Sequence, residues 1–315
     1  MRRGAALGLA LGTLALGGVL GFFLLSAPQT WRMARGATIV ADKRAADIAN
    51  GARIFDAGGC ASCHATPGQD DRVRLGGGLA FHTPFGTMNA PNISPDTTLG
   101  IGNWSLGDFA RAMREGVSPQ GRHYYPAFPY TSYQRMTPDD VADLFGYIKS
   151  LPKVADASKP HQMNFPFNIT RGLGLWKLAF LDGKPFTPDP ARDAQWNLGS
   201  YLVNGPGHCA ECHSPRNAAG AIIPWQRFAG GPDPEGRGFV PNITQAPNAL
   251  AKWSASDIAE LLKTGFTPDY DSVGGSMAPV IKNTSRLSDA DRAAMAAYIK
   301  SLPPIETPPR PKKTQ

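Results

Sequence analysis

The sequence predicts a mostly α-helical protein, with two tandem copies of one domain behind an N-terminal apolar helix. Three observations lead to this fold class. A five-residue Cys-x-x-Cys-His motif occurs twice, at 60–64 and 209–213. Other segments recur at nearly the same offset, between 149 and 151 residues. An apolar run without charge occupies 4–25, directly after two arginines.

The N-terminal run at 4–25 predicts a transmembrane or signal helix. About 20 apolar residues suffice for a helix to cross a bilayer. A cleaved signal peptide usually has a shorter apolar core and a small-residue cleavage site. Here the candidate site near Ser26 is followed by Pro28, which is a poor context for cleavage. Within 1–30 we therefore favour an uncleaved signal anchor over a removed signal peptide.

The repeated motif is the attachment signature of c-type haem. Each thiol of a pair has the spacing to form a thioether with one vinyl group of the porphyrin, and the adjacent histidine ligates iron from the proximal side. A four-cysteine zinc site is excluded because the two cysteine pairs lie 149 residues apart. All four cysteines belong to the motifs, so none is left for a disulfide. The predicted haem-binding residues are Cys60, Cys63, His64, Cys209, Cys212 and His213.

The segments between and after the motifs show that the chain is an internal duplication. The sequence Pro-Asn-Ile-Ser at 91–94 recurs as Pro-Asn-Ile-Thr at 241–244, and Tyr-Ile-Lys-Ser-Leu-Pro recurs at 147–152 and 298–303. The predicted organisation is a first cytochrome c domain at 40–152, a linker at 153–193, a second cytochrome c domain at 194–304 and a disordered tail at 305–315.

Three helices are predicted in each copy from their capping signals. A first helix leads into each motif, over 44–55 and 194–203. A middle helix begins at a serine with aspartate three residues later, the pattern of a capping box, and ends at a glycine. A last helix begins at Thr137 with proline at its first position, and at Ser288 in the second copy. The predicted middle helices begin and end at Ser105 and Gly116, and at Ser254 and Gly265.

The second axial ligand of the second haem (haem two) is predicted to be Met277. This residue stands in a Gly-Gly-Ser-Met-Ala-Pro loop ahead of the last helix. A thioether suits electron transfer, because the soft sulfur favours Fe(II) and raises the reduction potential. The alternative is a core methionine that fills a gap in the packing.

The first haem (haem one) has no equivalent ligand, because Phe128 occupies the position of Met277. Four alternatives remain open, in the order in which we favour them. His123 lies in the same loop, Met136 directly precedes the last helix, the iron could be five-coordinate, and Met88 lies in a loop near the haem edge. Ligation by His123 would place the potential of haem one below that of haem two, because imidazole favours Fe(III) more than a thioether does.

Several short segments together point to a family. In the first copy they lie at 83–87, 91–96, 100–105 and 125–130, in the linker at 165–169 and 176–178, and beside the second motif at 201–205 and 207–209. With these segments the chain resembles the membrane-bound cytochrome c subunits of bacterial periplasmic dehydrogenases that oxidise alcohols, gluconate or aldehydes. It departs from them in two ways. Many members carry three haem domains rather than two, and many have methionine where Phe128 stands.

The resemblance implies an electron-transfer subunit with two covalently bound haem c groups. Its partners would be the catalytic subunit of a periplasmic dehydrogenase and a quinone, cytochrome or terminal oxidase as acceptor. It would lie on the periplasmic side of the bacterial inner membrane, held by its N-terminal segment, and would not be an enzyme by itself. The alternative is a dihaem enzyme of the peroxidase or thiosulfate-oxidising type that uses an open first haem.

Composition and the linker add two expectations. The net charge is +7, but no block of Lys and Arg interleaves with aromatic residues, so a nucleic-acid surface is not indicated. The linker is long and carries Phe165, Phe167, Trp176 and Phe180. A flexible tether would be poorer in aromatic residues, so we expect the linker to pack across both domains.

Overall fold

The computed structural model describes residues 2–35, 44–234, 236 and 238–310. In this part of the chain the protein is mostly helical, with two small antiparallel sheets. The predicted start of the first domain at 40–43, and the last five residues of the predicted tail, lie outside the described residues.

The N-terminal segment forms two helices, α1 (Arg2–Leu25) and α2 (Pro28–Arg35). All side chains at 9–20 of α1 are exposed, whereas Ser26 and Trp31 are buried against the rest of the protein. Among the described residues, no single helix is long and apolar enough to span a membrane. The described part of α1 and α2 pass that test only together, as a pair bent by 65°. The predicted transmembrane helix is therefore not confirmed.

The first domain is built around two crossed helices. Its elements are α3 (Ile48–Ala57), α4 (Cys60–His64), β1 (Ala80–Thr83), β2 (Gly86–Asn89), α5 (Leu106–Glu115), α6 (Tyr130–Tyr133) and α7 (Pro138–Ser150). Helices α3 and α7 cross at Gly51, where a Cβ atom would lie 2.1 Å from the Asp143 carbonyl oxygen. The core between them contains Ile54, Phe55 and Leu144.

Helix α3 begins later than predicted, at Ile48 rather than Arg44. The reason is Asp47, whose side chain accepts hydrogen bonds from the first free backbone amides of the helix and caps it. The capping boxes predicted at Ser105 and Ser254 are confirmed. Helix α5 ends at Gly116 in the left-handed conformation, as its glycine predicts.

The linker adds one strand and one helix, β3 (Gln162–Met163) and α8 (Gly172–Phe180). Strand β3 pairs with β2, which pairs with β1, and every pairing is antiparallel. The linker contacts both domains. Tyr125 donates a hydrogen bond to the Phe167 carbonyl, and Trp176 donates one to the Ala219 carbonyl of the second domain.

The second domain repeats the crossed-helix arrangement. Its elements are α9 (Ala194–Asn204), α10 (Ala210–His213), a short 3-10 helix (Pro224–Gln226), β4 (Gly231–Pro232), β5 (Phe239–Val240), α11 (Ala255–Thr264), α12 (Met277–Thr284) and α13 (Asp289–Lys300). Helices α9 and α13 approach at Gly199, where a Cβ atom would lie 1.9 Å from the Ala294 carbonyl oxygen. A larger residue at this crossing would force the helices apart.

Part of the C-terminal tail is docked, contrary to the predicted disorder over 305–315. The Ile305 carbonyl and the Thr307 hydroxyl both accept hydrogen bonds from the side-chain amide of Asn242. The Arg310 guanidinium lies 5.3 Å from the centre of the Phe239 ring. Composition alone predicted disorder because it does not reveal these partners 60 and more residues earlier in the chain.

The two domains face each other in an approximately two-fold arrangement. Each domain places its short motif helix against the short helix that precedes the last helix of the other domain. Ser62 of α4 accepts a hydrogen bond from Asn283 of α12, and Glu211 of α10 accepts hydrogen bonds from Thr131 and Ser132 of α6. Such reciprocal contacts resemble the interface of a symmetric dimer.

Two further contacts join the crossed helices of the two domains. Arg53 of α3 forms a bidentate ion pair with the buried carboxylate of Asp291 at the start of α13. The hydroxyl of Tyr201 on α9 donates to Asp140 of α7. The interface therefore contains charged and polar groups that fix its register.

Candidate haem sites

Each motif forms a single helical turn that begins with a left-handed residue. Gly59, with φ of 59°, precedes Cys60, and His208, with φ of 40°, precedes Cys209. One turn of helix brings cysteines three residues apart onto the same face. No disulfide joins any of the four cysteines, all of which the structure describes. Burial raises the pKa of the Cys60 and Cys209 thiols to about 12.

Both proximal histidines are oriented by the carbonyl of a proline. Nδ1 of His64 lies 2.8 Å from the Pro91 oxygen, and Nδ1 of His213 lies 2.8 Å from the Pro241 oxygen. Donation from Nδ1–H fixes the tautomer and leaves the Nε2 lone pair for a metal. Burial lowers the pKa of both histidines, against the opposing effect of the hydrogen bond, and favours the neutral ligand form.

The backbone amide of a glycine donates a hydrogen bond to the carbonyl of each proximal histidine. The Gly77 amide donates to the His64 carbonyl over 2.8 Å, and the Gly230 amide donates to the His213 carbonyl over 2.9 Å. Both glycines have φ above 70°. A Cβ atom on Gly77 would lie 2.5 Å from the Ala90 carbonyl oxygen. These positions therefore require glycine for both conformation and space.

The asparagine after each proline holds the proline segment in place. The Asn92 side chain donates to the carbonyls of Val154 and Asp156 and accepts from the Ser94 amide. In the second domain Asn242 donates to Ile305 and Thr307, as described above. The repeat of Pro-Asn-Ile in the sequence indicated the duplication but not this role. The asparagines connect the proximal carbonyls to the segments that follow the last helices.

This donor set fits haem c in both domains. The cysteine pairs would provide the thioether bonds, and Nε2 of His64 and His213 would provide the proximal ligands. Cys60 and Cys209 border separate apolar clusters, one in each domain. When bound, a haem in such a pocket supplies one-electron redox chemistry.

Met277 packs against the apolar cluster of the second domain. It is the first residue of α12, is partly buried and packs against the cluster that also contacts Cys209. Its amide donates to the Gly274 carbonyl over 3.2 Å. This placement is compatible with the predicted ligation of haem two, which stays a prediction.

Phe128 occupies the corresponding position in the first domain. Its amide donates to the Tyr125 carbonyl, as the Met277 amide donates to the Gly274 carbonyl. The Phe128 ring packs edge to face against Tyr124 and Tyr133, at 5.9 and 5.7 Å between ring centres. An aromatic cluster therefore replaces the sulfur-bearing side chain on this side of the first pocket.

Both ring nitrogens of His123 have hydrogen-bond partners in the protein. This does not support the first place of His123 among the ligands predicted for haem one. Its Nε2 lies 2.9 Å from the Ser26 carbonyl oxygen, and its Nδ1 lies 3.1 Å from Nζ of Lys177. The side chain is 6% exposed. Burial, with the nearby Lys177 charge as the second cause, lowers the pKa of His123 to about 4. The sequence could not indicate these partners, because they come from the N-terminal segment and the linker.

The two methionines considered for haem one are both buried. Met136 is fully buried in the core cluster that also contacts Cys60 and Phe128. Met88 lies on β2, opposite Phe81 of β1. Of these two, only Met136 belongs to the cluster beside the first motif.

One contact between the motifs was not predicted. The carbonyl of Gly58, two residues before Cys60, accepts from Nε2 of His208 at 3.2 Å and from the Tyr133 hydroxyl at 3.3 Å. His208 immediately precedes Cys209. Its position directly before the second motif is the sequence signal that could have identified this contact. The contact brings the backbones of the two attachment sites together.

Comparison with known proteins agrees with this geometry. The sequence model of the cytochrome c family matches residues 48–152 and 197–303. A diheme cytochrome c-type protein of Cereibacter sphaeroides is 51% identical over 82% of this chain and 87% of its own length. The fructose dehydrogenase cytochrome subunit of Gluconobacter japonicus is 41% identical over 81% of this chain and 52% of its own length.

A third relative, the cytochrome c subunit of a quinone-dependent alcohol dehydrogenase of Gluconacetobacter polyoxogenes, is 37% identical over 84% of this chain. The chain spans little more than half the length of the two dehydrogenase subunits. The paired histidine sites and the two family matches lead to the same conclusion: this chain belongs to the cytochrome c family and carries two cytochrome c domains, each of which holds one covalently bound haem c.

Proposed function

We propose that this dihaem cytochrome c accepts electrons from the catalytic subunit of a periplasmic dehydrogenase and passes them through both haems to a quinone, a cytochrome or a terminal oxidase. The observation that carries the proposal is the hydrogen bond between Gly58 and His208, which joins the two attachment sites across a fixed domain interface. Relatives named as cytochrome subunits of dehydrogenases support the electron-donating partner. Their names give no support to the alternative of a dihaem peroxidase or thiosulfate-oxidising enzyme.

The interface suits transfer within the molecule because it leaves the two sites little freedom to separate. Glu211, one residue before Cys212, is nearly buried and pairs with Arg216 as well as with two hydroxyls of α6. Burial raises the pKa of Glu211, but the Arg216 charge and the hydroxyl donors outweigh it, so the pKa is lowered. A charged, fully hydrogen-bonded carboxylate within the second motif anchors the motif to the first domain.

We propose that His64 and His213 are the proximal ligands of the two cysteine-attached haems. Met277 is the distal ligand of haem two. His123 is not a ligand of haem one, because Ser26 and Lys177 already use both of its nitrogens. Met136, or no protein ligand at all, then completes haem one. This removes the first of the four predicted alternatives and leaves the next two.

We also propose that α1 is retained and inserts into the inner membrane, with the haem domains on the periplasmic side. The exposed surface of α1 at 9–20 is apolar apart from one threonine and three glycines. Ser26, at the predicted cleavage position, is fully buried, its carbonyl accepts from His123, and its hydroxyl accepts from Arg171. Cleavage there would remove a residue that the folded domain uses, which favours an anchor over a removed signal peptide.

The test is a stopped-flow experiment with the purified holo-protein. We would mix it with substrate-reduced catalytic subunits of fructose, alcohol and gluconate dehydrogenases and follow the absorbance of reduced haem. Uptake of two electrons per chain from one of them supports the proposal. The matched control carries Cys209→Ala and Cys212→Ala, lacks haem two and should take up one electron. No reduction by any of the three, combined with peroxide turnover by the cytochrome alone, would contradict it.

A further inference from the structure

Helix α8 has its charge inside and its apolar side chains outside. Its only charged residue, Lys177, is fully buried, and the ammonium donates to the carbonyls of Glu115 and Gly116. The exposed positions are Leu175, Ala179 and Phe180. A helix on the surface of a soluble domain shows the opposite distribution. The outer face of α8 therefore suits an apolar environment rather than water.

Helix α8 begins where α1 ends. Arg171, just before α8, donates to the Phe23 carbonyl over 2.7 Å and to the Ser26 hydroxyl over 3.0 Å. Its guanidinium also lies 5.1 Å from the centre of the Phe23 ring. Gly174 packs so closely that a Cβ atom would lie 2.2 Å from the Ser26 carbonyl oxygen. The apolar surfaces of α1 and α8 are therefore neighbours.

The loop before α8 adds aromatic and aliphatic side chains to the same region. Phe165 is 79% exposed, Ile169 49% and Phe167 44%. The loop is held in this form, because Tyr125 bonds the Phe167 carbonyl and the Ile169 amide donates to the Pro166 carbonyl. We call the five exposed residues the apolar collar: Phe165, Phe167, Ile169, Leu175 and Phe180.

We propose that the apolar collar lies in the interfacial layer of the lipid bilayer, beside α1. The proposal rests on the proposed insertion of α1 and extends it. The exposed apolar surface of α1 continues into the collar through Arg171, Ser26 and Gly174, so a bilayer that surrounds α1 also meets the collar. The basic side chain of Arg171 lies at this junction, the depth at which lipid headgroups favour arginine. Aromatic side chains are likewise enriched at that depth.

The consequence is a fixed orientation of the first domain on the membrane. A single helix is one tether and would let the domains rotate. A second contact through the linker holds the domain by two points, and the linker also contacts the second domain through Trp176. Both haem sites would then keep constant heights above the bilayer.

Single engineered cysteines test the collar. All four native cysteines bind haem, so an added cysteine is the one reactive thiol of the holo-protein. We would prepare Ile169→Cys and Leu175→Cys in the collar, Leu14→Cys in α1 and Tyr270→Cys, which replaces a 90% exposed residue of the second domain. Each full-length protein is reconstituted into phosphatidylglycerol-containing vesicles without any other protein. Rates of labelling by a membrane-impermeant maleimide are compared with rates for the same variants after lipid extraction and unfolding in guanidinium chloride, where every thiol is exposed.

The expected result is slower labelling of the two collar cysteines in vesicles, by about tenfold or more, because an apolar environment raises the thiol pKa and each pKa unit removes nine-tenths of the reactive thiolate. Tyr270→Cys should not change. Protection of Leu14→Cys together with unchanged collar rates supports the inserted helix but overturns the inference, because the collar then does not contact the bilayer. Protection of the collar with a reactive Leu14→Cys rejects the insertion of α1 on which the inference rests, so it overturns the placement of the collar beside an inserted α1. Unchanged labelling of both Leu14→Cys and the collar cysteines overturns both the inserted helix and the inference.

Discussion

Asn92 offers a direct test of how the proximal histidine of haem one is supported. Its side chain is 3% exposed and makes three hydrogen bonds, to Val154, Asp156 and Ser94. It also follows Pro91, whose carbonyl orients His64. The substitution Asn92→Ala removes all three bonds without adding bulk, so it tests the support without overpacking the core.

The cost follows from what each partner retains. The Ser94 amide is fully buried and loses its acceptor, which costs about 1–3 kcal/mol. The Val154 carbonyl keeps the Ser94 hydroxyl at 3.3 Å, and the exposed Asp156 segment gains water, so these two bonds cost about 0.5–1.5 kcal/mol together. The free energy of unfolding of the first domain should therefore fall by about 2–4 kcal/mol.

Differential scanning calorimetry measures this loss as a fall in Tm of the first domain, expected to be about 8–16 °C for a domain of this size. Asn103→Ala is the matched control, because Asn103 is exposed and donates one hydrogen bond, to the Thr97 carbonyl. That change should cost less than about 0.5 kcal/mol. Low-temperature EPR should show a changed signal of haem one in Asn92→Ala and of haem two in Asn242→Ala. Equal Tm values for Asn92→Ala and Asn103→Ala would refute the reasoning.

Further predictions concern the distal side and the buried charges. His123→Ala should leave the spin state of haem one in the EPR spectrum unchanged. A change from low spin to high spin would show that His123 ligates the iron. Phe128→Met should introduce a sulfur-to-iron charge-transfer band for haem one, which optical spectra of wild type and variant would reveal. Burial lowers the pKa of Lys177 from 10.5 to about 7, so between these pH values the unfolded chain binds more protons and this group makes stability rise with pH. The Tm difference between wild type and Lys177→Met should therefore depend on pH in that window, and a constant difference would contradict the lowered pKa. Arg53→Met should lower the free energy of unfolding by about 2 kcal/mol, because it leaves the carboxylate of Asp291 buried without its partner, and calorimetry with Lys263→Met as the exposed-pair control would measure it.

Local signals predicted the parts of the fold that depend on neighbouring residues. Ser105 and Asp108 form the capping box that their spacing indicates, and Gly116 ends the helix as predicted. The proximal site could also be predicted, because attachment of haem fixes cysteine and histidine within five residues. The carbonyl that accepts the hydrogen bond of His64 could not be predicted, since Pro91 lies 27 residues further along the chain.

The distal side of haem one shows why sequence order was insufficient there. His123 was a reasonable ligand on loop position alone. Its real partners are Ser26, 97 residues earlier, and Lys177, 54 residues later. Neither has a motif, and Lys177 carries no sign of burial in the sequence, because lysine is among the residues least often buried. Only the docking of two segments outside the domain determines what this histidine does.

The same difference separates the two copies of the duplicated loop. His123 pairs across its loop with Val117, and in the second copy Ser272 pairs in the same way with Phe266. Val117 and His123 of the first loop are buried, and His123 contacts the N-terminal segment and α8, whereas Ser272 and Phe266 are exposed. The duplicated backbone is thus retained while its surroundings differ, and the side chain at the corresponding loop position also differs, Phe128 in the first copy and Met277 in the second. The proximal sites are equivalent because each is completed by its own domain and by the segment that directly follows that domain's last helix. The distal sites differ because His123 of the first loop bonds Ser26 and Lys177, whereas Ser272 at the corresponding position of the second loop is exposed. The two haems of this cytochrome should therefore respond differently to changes in the N-terminal segment and the linker.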